Sequence, residues 1–163
     1  MHEVPVKEAA RRTVRIGLIS DTHGLLRPEA LDFLAGSDHI VHGGDIGNPE
    51  ILERLAAIAP LTVVRGNNDT AAWAKAIPVT ARLETGGIAI FAIHDLKELD
   101  IDPRAAGVRV VVSGHSHRPA SALRDGVLYV NPGSAGRRRF SLPIAVGELV
   151  LDEGVVQARI VTL

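Results

Sequence analysis

Short β-branched runs alternate along the chain with polar, glycine-marked loops, and each polar loop begins where an apolar run ends. Val14-Arg15-Ile16-Gly17-Leu18-Ile19 predicts a first strand that stops at Ser20-Asp21-Thr22-His23-Gly24. Pro28 suits the first turn of a helix, with Leu31, Phe33 and Leu34 as its apolar side and Gly36 at its end. Ile40-Val41 is a short strand running into His42-Gly43-Gly44-Asp45. Asn48, Pro49 and Glu50 then supply a cap, a proline in the first turn and an acid, ahead of a stripe of Ile51, Leu52, Leu55 and Ile58. Leu61-Thr62-Val63-Val64 leads into Arg65-Gly66-Asn67-Asn68-Asp69. Strand, polar loop and helix in repetition argue for parallel strands that bring their polar loops to one edge of a sheet.

The second half changes character. Val79 to Leu83 and Ile88 to Ile93 read as strands joined through Gly86-Gly87, the second ending at His94-Asp95. Residues 71–76 are a candidate short helix carrying Trp73, and 96–106 a candidate helix limited by Pro103. Val108 to Val112 is a buried strand broken at Gly114, followed by His115 and His117. Asp125-Gly126 marks a tight hairpin, Asn131-Pro132-Gly133-Ser134 a turn, and Asp152-Glu153-Gly154 a final hairpin. The expectation is one α/β domain, 14–163, behind an N-terminal extension, 1–13. It has two packed sheets, the first mostly parallel and the second richer in antiparallel pairs, with helices outside. The apolar C-terminal hairpin serves either as core or as the face of a homodimer.

Composition narrows the chemistry. Aromatics are 3% of the chain, so the core must come from Val, Ile, Leu and Ala. No cysteine is present, which removes disulfides, thiolate zinc and iron–sulfur clusters. Any metal is held by oxygen and imidazole nitrogen, which leaves manganese, iron, cobalt, nickel, zinc or magnesium. A net charge of −1 and a pI near 6.7 give no nucleic-acid footprint. No stretch is long and apolar enough for a membrane span, and the charged first twelve residues do not read as a secretory signal. A cytoplasmic protein is the default expectation.

Polar residues gather on five loops at strand ends: Asp21 with His23, then Asp45, Asn67, His94, and His115 with His117. Asp-x-His alone is common by chance; five such loops on one shared edge are not. Two imidazoles one residue apart either point the same way on extended backbone or, past Gly114, reach two neighbouring points. An imidazole is costly to bury unpaired, which favours a metal over a core role. The set is too large for one ion and suits two ions that share a carboxylate such as Asp45. Two metals about 3.5–4 Å apart are the recurring clamp for phosphoryl hydrolysis, and a water between them loses a proton near neutral pH to become the nucleophile.

Asp21-x-His23, Gly44-Asp45, Gly66-Asn67-x-Asp69, His94 and Gly114-His115-x-His117 resemble, in order, the signature of the calcineurin-like metallophosphoesterase superfamily. The short length and Asn131-Pro132-Gly133-Ser134 resemble its small YfcE-type phosphodiesterase branch. The resemblance implies a four-layer α/β/β/α sandwich of two mixed β-sheets flanked by helices. It also implies a dinuclear centre, often manganese-activated, with nickel, iron, cobalt or zinc as alternatives. By position, Asp21, His23, Asp45 and His117 hold one ion, and Asp45, Asn67, His94 and His115 the other. The implied activity is hydrolysis of a small phosphoester, more specifically a phosphodiester. The broader superfamily places a histidine after the metal-binding asparagine; here Asn68 stands there as catalytic and substrate-binding candidate. An amide hydrogen-bonds phosphate but is no general acid. Asp95-Leu96 replaces the Gly-His that often follows His94 in relatives.

Other polar residues have plainer readings. His42 is a histidine of the core or one that supports the ligands from behind, bonded to a carbonyl rather than to metal, and His2 and His39 lie at the surface. Arg65 either reaches phosphate or pairs with a neighbouring acid. Asp69 either orients a ligand or caps its turn. Trp73 is a packing residue before it is a stacking platform, and Arg137-Arg138-Arg139 an exposed loop before it is a substrate clamp. The rival functional class is a non-catalytic, Vps29-like protein-interaction scaffold that retains a metal site. Against it stands the full set of metal-binding residue types. A metallo-β-lactamase-like hydrolase would need a His-x-His-x-Asp-His run, which the chain lacks.

Overall fold

The computed structural model describes residues 13–163. The N-terminal extension, Thr13 apart, therefore lies outside the described residues. One sheet has the order β10-β9-β1-β2-β3, built from β1 (Val14–Ile19), β2 (His39–His42), β3 (Leu61–Val63), β9 (Ala145–Asp152) and β10 (Val155–Thr162). The other has the order β4-β5-β6-β8-β7, from β4 (Thr80–Thr85), β5 (Ile88–Ile93), β6 (Val108–Val112), β7 (Ala120–Arg124) and β8 (Val127–Asn131).

Both sheets are evenly mixed, which corrects the expected contrast between them. β1, β2 and β3 run parallel, while β9 and β10 join the first sheet antiparallel. In the second sheet β5, β6 and β8 run parallel, flanked by antiparallel β4 and β7. Chain order hid this arrangement. The C-terminal hairpin returns to the first strand rather than extending the second sheet. Each sheet thus carries a parallel trio whose carboxyl ends meet at one edge.

Aliphatic residues from both sheets interlock between them, including Ile16, Leu18, Val41, Val64, Ile90, Val110, Val112 and Leu149, each no more than 1% exposed. Burying a side chain of this size contributes about 1.5–3 kcal/mol. Helices α1 (Pro28–Leu34) and α2 (Pro49–Ala56) cover the outer face of the first sheet around Ile19, Ile40, Ile46 and Val146. The Asn48 carboxamide accepts from the Ile51 N–H at 3.2 Å, the predicted cap of α2, worth about 1 kcal/mol.

The outer layer over the second sheet is thin. Residues 96–106 are not an α-helix; a 3₁₀ turn spans Leu96–Glu98, capped when Asp95 accepts from the Lys97 N–H. Leu96 and Leu99 still cover Ile93, Val108, Val111 and Val127. The 71–76 helix shrinks to a 3₁₀ turn, Ala72–Ala74, and Trp73 packs against the outer cluster of the first sheet. β9 is buried through most of its length, whereas the edge strand β10 alternates exposed and half-buried residues.

Glu148, on β9, is 7% exposed beneath α1. The Arg15 Nε donates to its Oε1 and the Arg159 Nε to its Oε2 at 2.8 Å. Both guanidinium groups lie by the Phe33 ring, at 4.9 and 5.6 Å from its centroid. Burial raises the Glu148 carboxyl, and the two arginines outweigh it, leaving the group below its ordinary value.

Candidate metal centre

The loops after β1, β2, β3, β5 and β6 converge on one cluster. Asp21, His23, Asp45, His115 and His117 all have positive φ, at 54°, 46°, 59°, 73° and 62°. An L-residue in that region costs about 1–2 kcal/mol. Five such residues in a metal-type donor set is strain gathered at a functional site. It also decides how the two histidines of the Gly114 loop are arranged. The backbone is not extended there, and the rings part. His115 Nδ1 lies 3.2 Å from Asn67 Oδ1, while His117 Nε2 lies 3.4 Å from Asp21 Oδ1.

Two donor groups result. Asp21, His23 and His117 offer atoms within 4.8 Å of one another, and so do Asp21, Asp45 and His94. His23 Nε2 stands 3.8 Å from Asp21 Oδ1 and 3.7 Å from Asp45 Oδ2, and its ring is 5.3 Å from that of His117. His94 Nε2 stands 3.3 Å from Asp45 Oδ2 and 3.1 Å from Asn67 Oδ1. Every residue expected to hold metal is therefore brought together.

A cation fits this set. Among the described residues Asp21 Oδ1, His23 Nε2 and His117 Nδ1 are buried without a hydrogen-bond partner, an arrangement folding tolerates poorly unless something else binds there. Burial lowers the His94 ring's basicity, but the Asp45 and Asp21 carboxylates reverse this and raise it to about 9. Burial raises the Asp21 carboxyl, and the His117 and His23 rings with the Ser20 hydroxyl more than cancel it, holding it well below the carboxylate range. Asp45 is held below its ordinary value despite burial, chiefly by His94 and the Asn68 N–H.

Hydrogen bonds fix the donors. His94 Nδ1 donates to the Gly43 carbonyl at 2.7 Å, which turns Nε2 inward. The Ser20 hydroxyl donates to Asp21 Oδ2 at 2.6 Å, and the His115 N–H donates to the same oxygen at 3.1 Å. Asn68 grips Asp45 with both nitrogens: its N–H to Oδ1 at 2.8 Å, its carboxamide to Oδ2 at 3.1 Å. Gly66 is required here because a Cβ would collide with Asp45 Oδ1 and its backbone N.

Two supporting roles, those of Asn131 and Asp95, escaped the sequence, while Asp69 fills both of the roles the sequence left open to it. Asp69 both orients and caps, accepting N–H bonds from Asp45, Ile46 and Gly66 at 2.9, 2.9 and 2.8 Å. Asn131 donates to the Gly114 carbonyl at 3.0 Å and to Ser116 Oγ at 3.2 Å, pinning the loop that carries both histidines. Asp95 Oδ2 lies 3.8 Å from His115 Nε2. Its position beside His94 was the one available signal. His42 is a core histidine but is not bonded to a carbonyl. It accepts the Gly44 N–H at Nδ1, 3.0 Å, which leaves Nε2 to donate to Thr22 Oγ1 at 3.0 Å. Burial lowers this ring to about 4, so it is neutral at pH 7. Arg65 pairs with no acid among the described residues and lines a cavity of about 220 Å³ with Asn67, His94, Asp95 and Glu98.

Comparison with known proteins agrees with this geometry. A calcineurin-like phosphoesterase superfamily domain matches residues 14–154. The chain belongs to that superfamily. Over 135 residues it is 36% identical to a probable metallophosphoesterase of Methanocaldococcus jannaschii, covering 75% of this chain and 68% of that one. Two solved structures share the superfamily fold. A structure described as a novel archaeal phosphodiesterase superposes with a TM-score of 0.75 at 22% identity, over 91% of this chain and 100% of the other. A zinc-complexed Vps29 of Entamoeba histolytica does so with a TM-score of 0.67 at 21% identity, over 91% and 99%. The calcineurin-like architecture of two mixed sheets with few helices is thus shown. Among the described residues no helix is long and apolar enough to cross a membrane.

Proposed function

We propose that residues 14–163 form a single metallophosphoesterase domain that hydrolyses small phosphoesters, phosphodiesters foremost, at a centre of two divalent cations. Asp21, His23, Asp45 and His117 hold one ion; Asp45, Asn67, His94 and His115 hold the other. Manganese is the proposed ion, with nickel, iron, cobalt and zinc as the alternatives that N/O donors accept.

The observation that carries this reading is the position of Asp45 Oδ2, 3.7 Å from His23 Nε2 and 3.3 Å from His94 Nε2. One carboxylate oxygen faces an imidazole from each set. When bound, the cations supply Lewis acidity toward phosphoryl oxygens and a nucleophile at neutral pH. The chain's own residues do the positioning. Asp45 spans the two sets. Gly43 fixes the His94 tautomer. Asn68 keeps the Asp45 carboxylate facing inward through its N–H and its carboxamide, and as an exposed residue beside the donors it is the proposed contact for a phosphate oxygen.

Purified protein, dialysed against chelator, is assayed on bis-p-nitrophenyl phosphate and p-nitrophenyl phosphate with manganese, nickel, zinc or magnesium. Metal-restored hydrolysis, faster on the diester, is expected. No hydrolysis with any metal overturns the enzyme reading and favours the second one, a Vps29-like scaffold that retains its metal site. That reading draws on the fold shared with a zinc-complexed Vps29.

A further inference from the structure

The outer face of the second sheet carries a trough of about 440 Å³ that begins at the metal centre and that the mechanism leaves unused. Its origin lies in the β7–β8 pair. Ala122 stands opposite Tyr129, Ala120 opposite Asn131 and Arg124 opposite Val127, so these residues share one face. Val127 and Tyr129 belong to the outer cluster, which places that face away from the inter-sheet core. Two alanines in alternate positions leave the edge of the sheet low where its neighbours carry large side chains. The Leu96–Glu98 turn walls the opposite side.

The trough opens onto the centre through His115. That ring is 43% exposed, against 22% for His23, 4% for His94 and 3% for His117. Among the histidines, His115 is therefore the one an ester entering along the trough meets, with its organic part lying over Ala120 and Ala122. The size is within the range of small-molecule pockets.

The lining specifies what this part should be. Ala120, Ala122, Tyr129 and Val130 give the lining an apolar part, and the Arg124 guanidinium lies 4.3 Å from the centroid of the Tyr129 ring. Stacked planar groups at an open edge favour a further planar ring. Lys97, Arg118 and Arg124 give the lining three cations. Its one carboxylate, Asp95, is engaged by the Lys97 N–H and lies by His115. Three cations against one engaged carboxylate attract an anion beyond the one held at the metals.

We infer that this trough is the specificity subsite of the enzyme and takes the nucleoside part of a nucleotide-type phosphodiester, a flat ring with a second phosphate directed at Arg124. The inference rests on the phosphoesterase reading. Deoxythymidine 3′,5′-bisphosphate and inorganic phosphate serve as probes of metal-loaded protein, with affinity from calorimetry and location from ¹H–¹⁵N NMR using magnesium.

Wild type should bind the bisphosphate at least tenfold tighter than phosphate, with shifts at the Ala120, Ala122 and Tyr129 amides. Ala122→Leu, at an exposed edge position, should cut that advantage to within twofold and leave phosphate affinity unchanged. Arg124→Gln should reduce it by about the part owed to the second phosphate, read against thymidine 5′-monophosphate. If phosphate binds but the trough amides do not move, or Ala122→Leu binds the bisphosphate like wild type, the inference fails and the trough is left to a macromolecular partner. If neither probe binds, the phosphoesterase reading itself fails.

Discussion

Asp69 holds Asp45 by its backbone: Oδ2 of Asp69 accepts the Asp45 N–H at 2.9 Å and the Gly66 N–H at 2.8 Å, while Oδ1 takes the Ile46 N–H. One buried carboxylate thereby ties the loop after β2 to the loop after β3. Asp69→Ala orphans three buried donors. Hydrogen bonds to a charged group contribute about 1.5–3 kcal/mol each, and relaxation recovers part of that, so a loss of about 3 kcal/mol is expected. Asp69→Asn, which keeps shape and one acceptor, should lose less than half as much. Urea denaturation of the metal-free proteins measures both. Equal stability of Asp69→Ala and wild type would show that the loops hold Asp45 without it.

The shared-ligand arrangement separates two variants by metal count. Asp45→Asn replaces the carboxylate proposed to serve both sets with a neutral amide that has a single donor oxygen, and should lower bound metal from the proposed two equivalents toward zero. His117→Ala touches only the set with Asp21 and His23 and should leave one equivalent. Elemental analysis after gel filtration gives the numbers. An identical loss in both variants would contradict the proposed division. Metal should also raise the melting temperature of the wild type, since an ion that binds only the native state stabilises it by mass action.

Much of this centre was legible because metal ligation demands particular residue types at strand ends, and the chain displays them as Asp21-x-His23, Asp45, Asn67, His94 and His115-x-His117. The supports were less legible. Asn131 is 17 residues from Gly114 and reaches it only because β8 pairs with β6. Glu148 reads as one charge in an apolar run; its partner Arg15 lies 133 residues away. The expected contrast between the two sheets failed for the same reason. Local pattern marks β9 and β10 as strands but carries no information about which sheet they join. The 96–106 segment failed differently: its apolar residues are needed to cover β5 and β6, and Asp95 with Pro103 leaves only a 3₁₀ turn.

Glu148 gives a pH test away from the metal centre. Its native pKa lies below the ordinary 4.5, so between these values the unfolded chain binds the extra proton. The stabilisation is complete above about pH 4.5 and fades as pH falls through the native pKa. Glu148→Gln leaves Arg15 and Arg159 without their carboxylate and should lower the melting temperature at pH 7. The gap to wild type should narrow steadily below pH 4.5, because the protonated wild-type side chain then resembles the amide. A gap that stays constant from pH 7 to pH 3 would remove the charge pair from the account of stability.

Asn68 sets the last expectation, on leaving groups. Its carboxamide donates to Asp45 Oδ2 and its N–H to Oδ1, and an amide has no proton to give to a departing alkoxide. Esters whose leaving group needs little protonation should therefore dominate. Methyl p-nitrophenyl phosphate, which expels a phenolate, should be cleaved at least a hundredfold faster than dimethyl phosphate at equal concentration. Placing an imidazole there, Asn68→His, supplies an acid but gives up the carboxamide hold on Asp45. The aryl rate should fall a few-fold and the alkyl rate should rise, so that the ratio between them shrinks by about a hundredfold or more, the lower end of what general acids contribute. Measured side by side with manganese, an unchanged ratio would mean that another group protonates the leaving oxygen and that Asn68 acts only through Asp45.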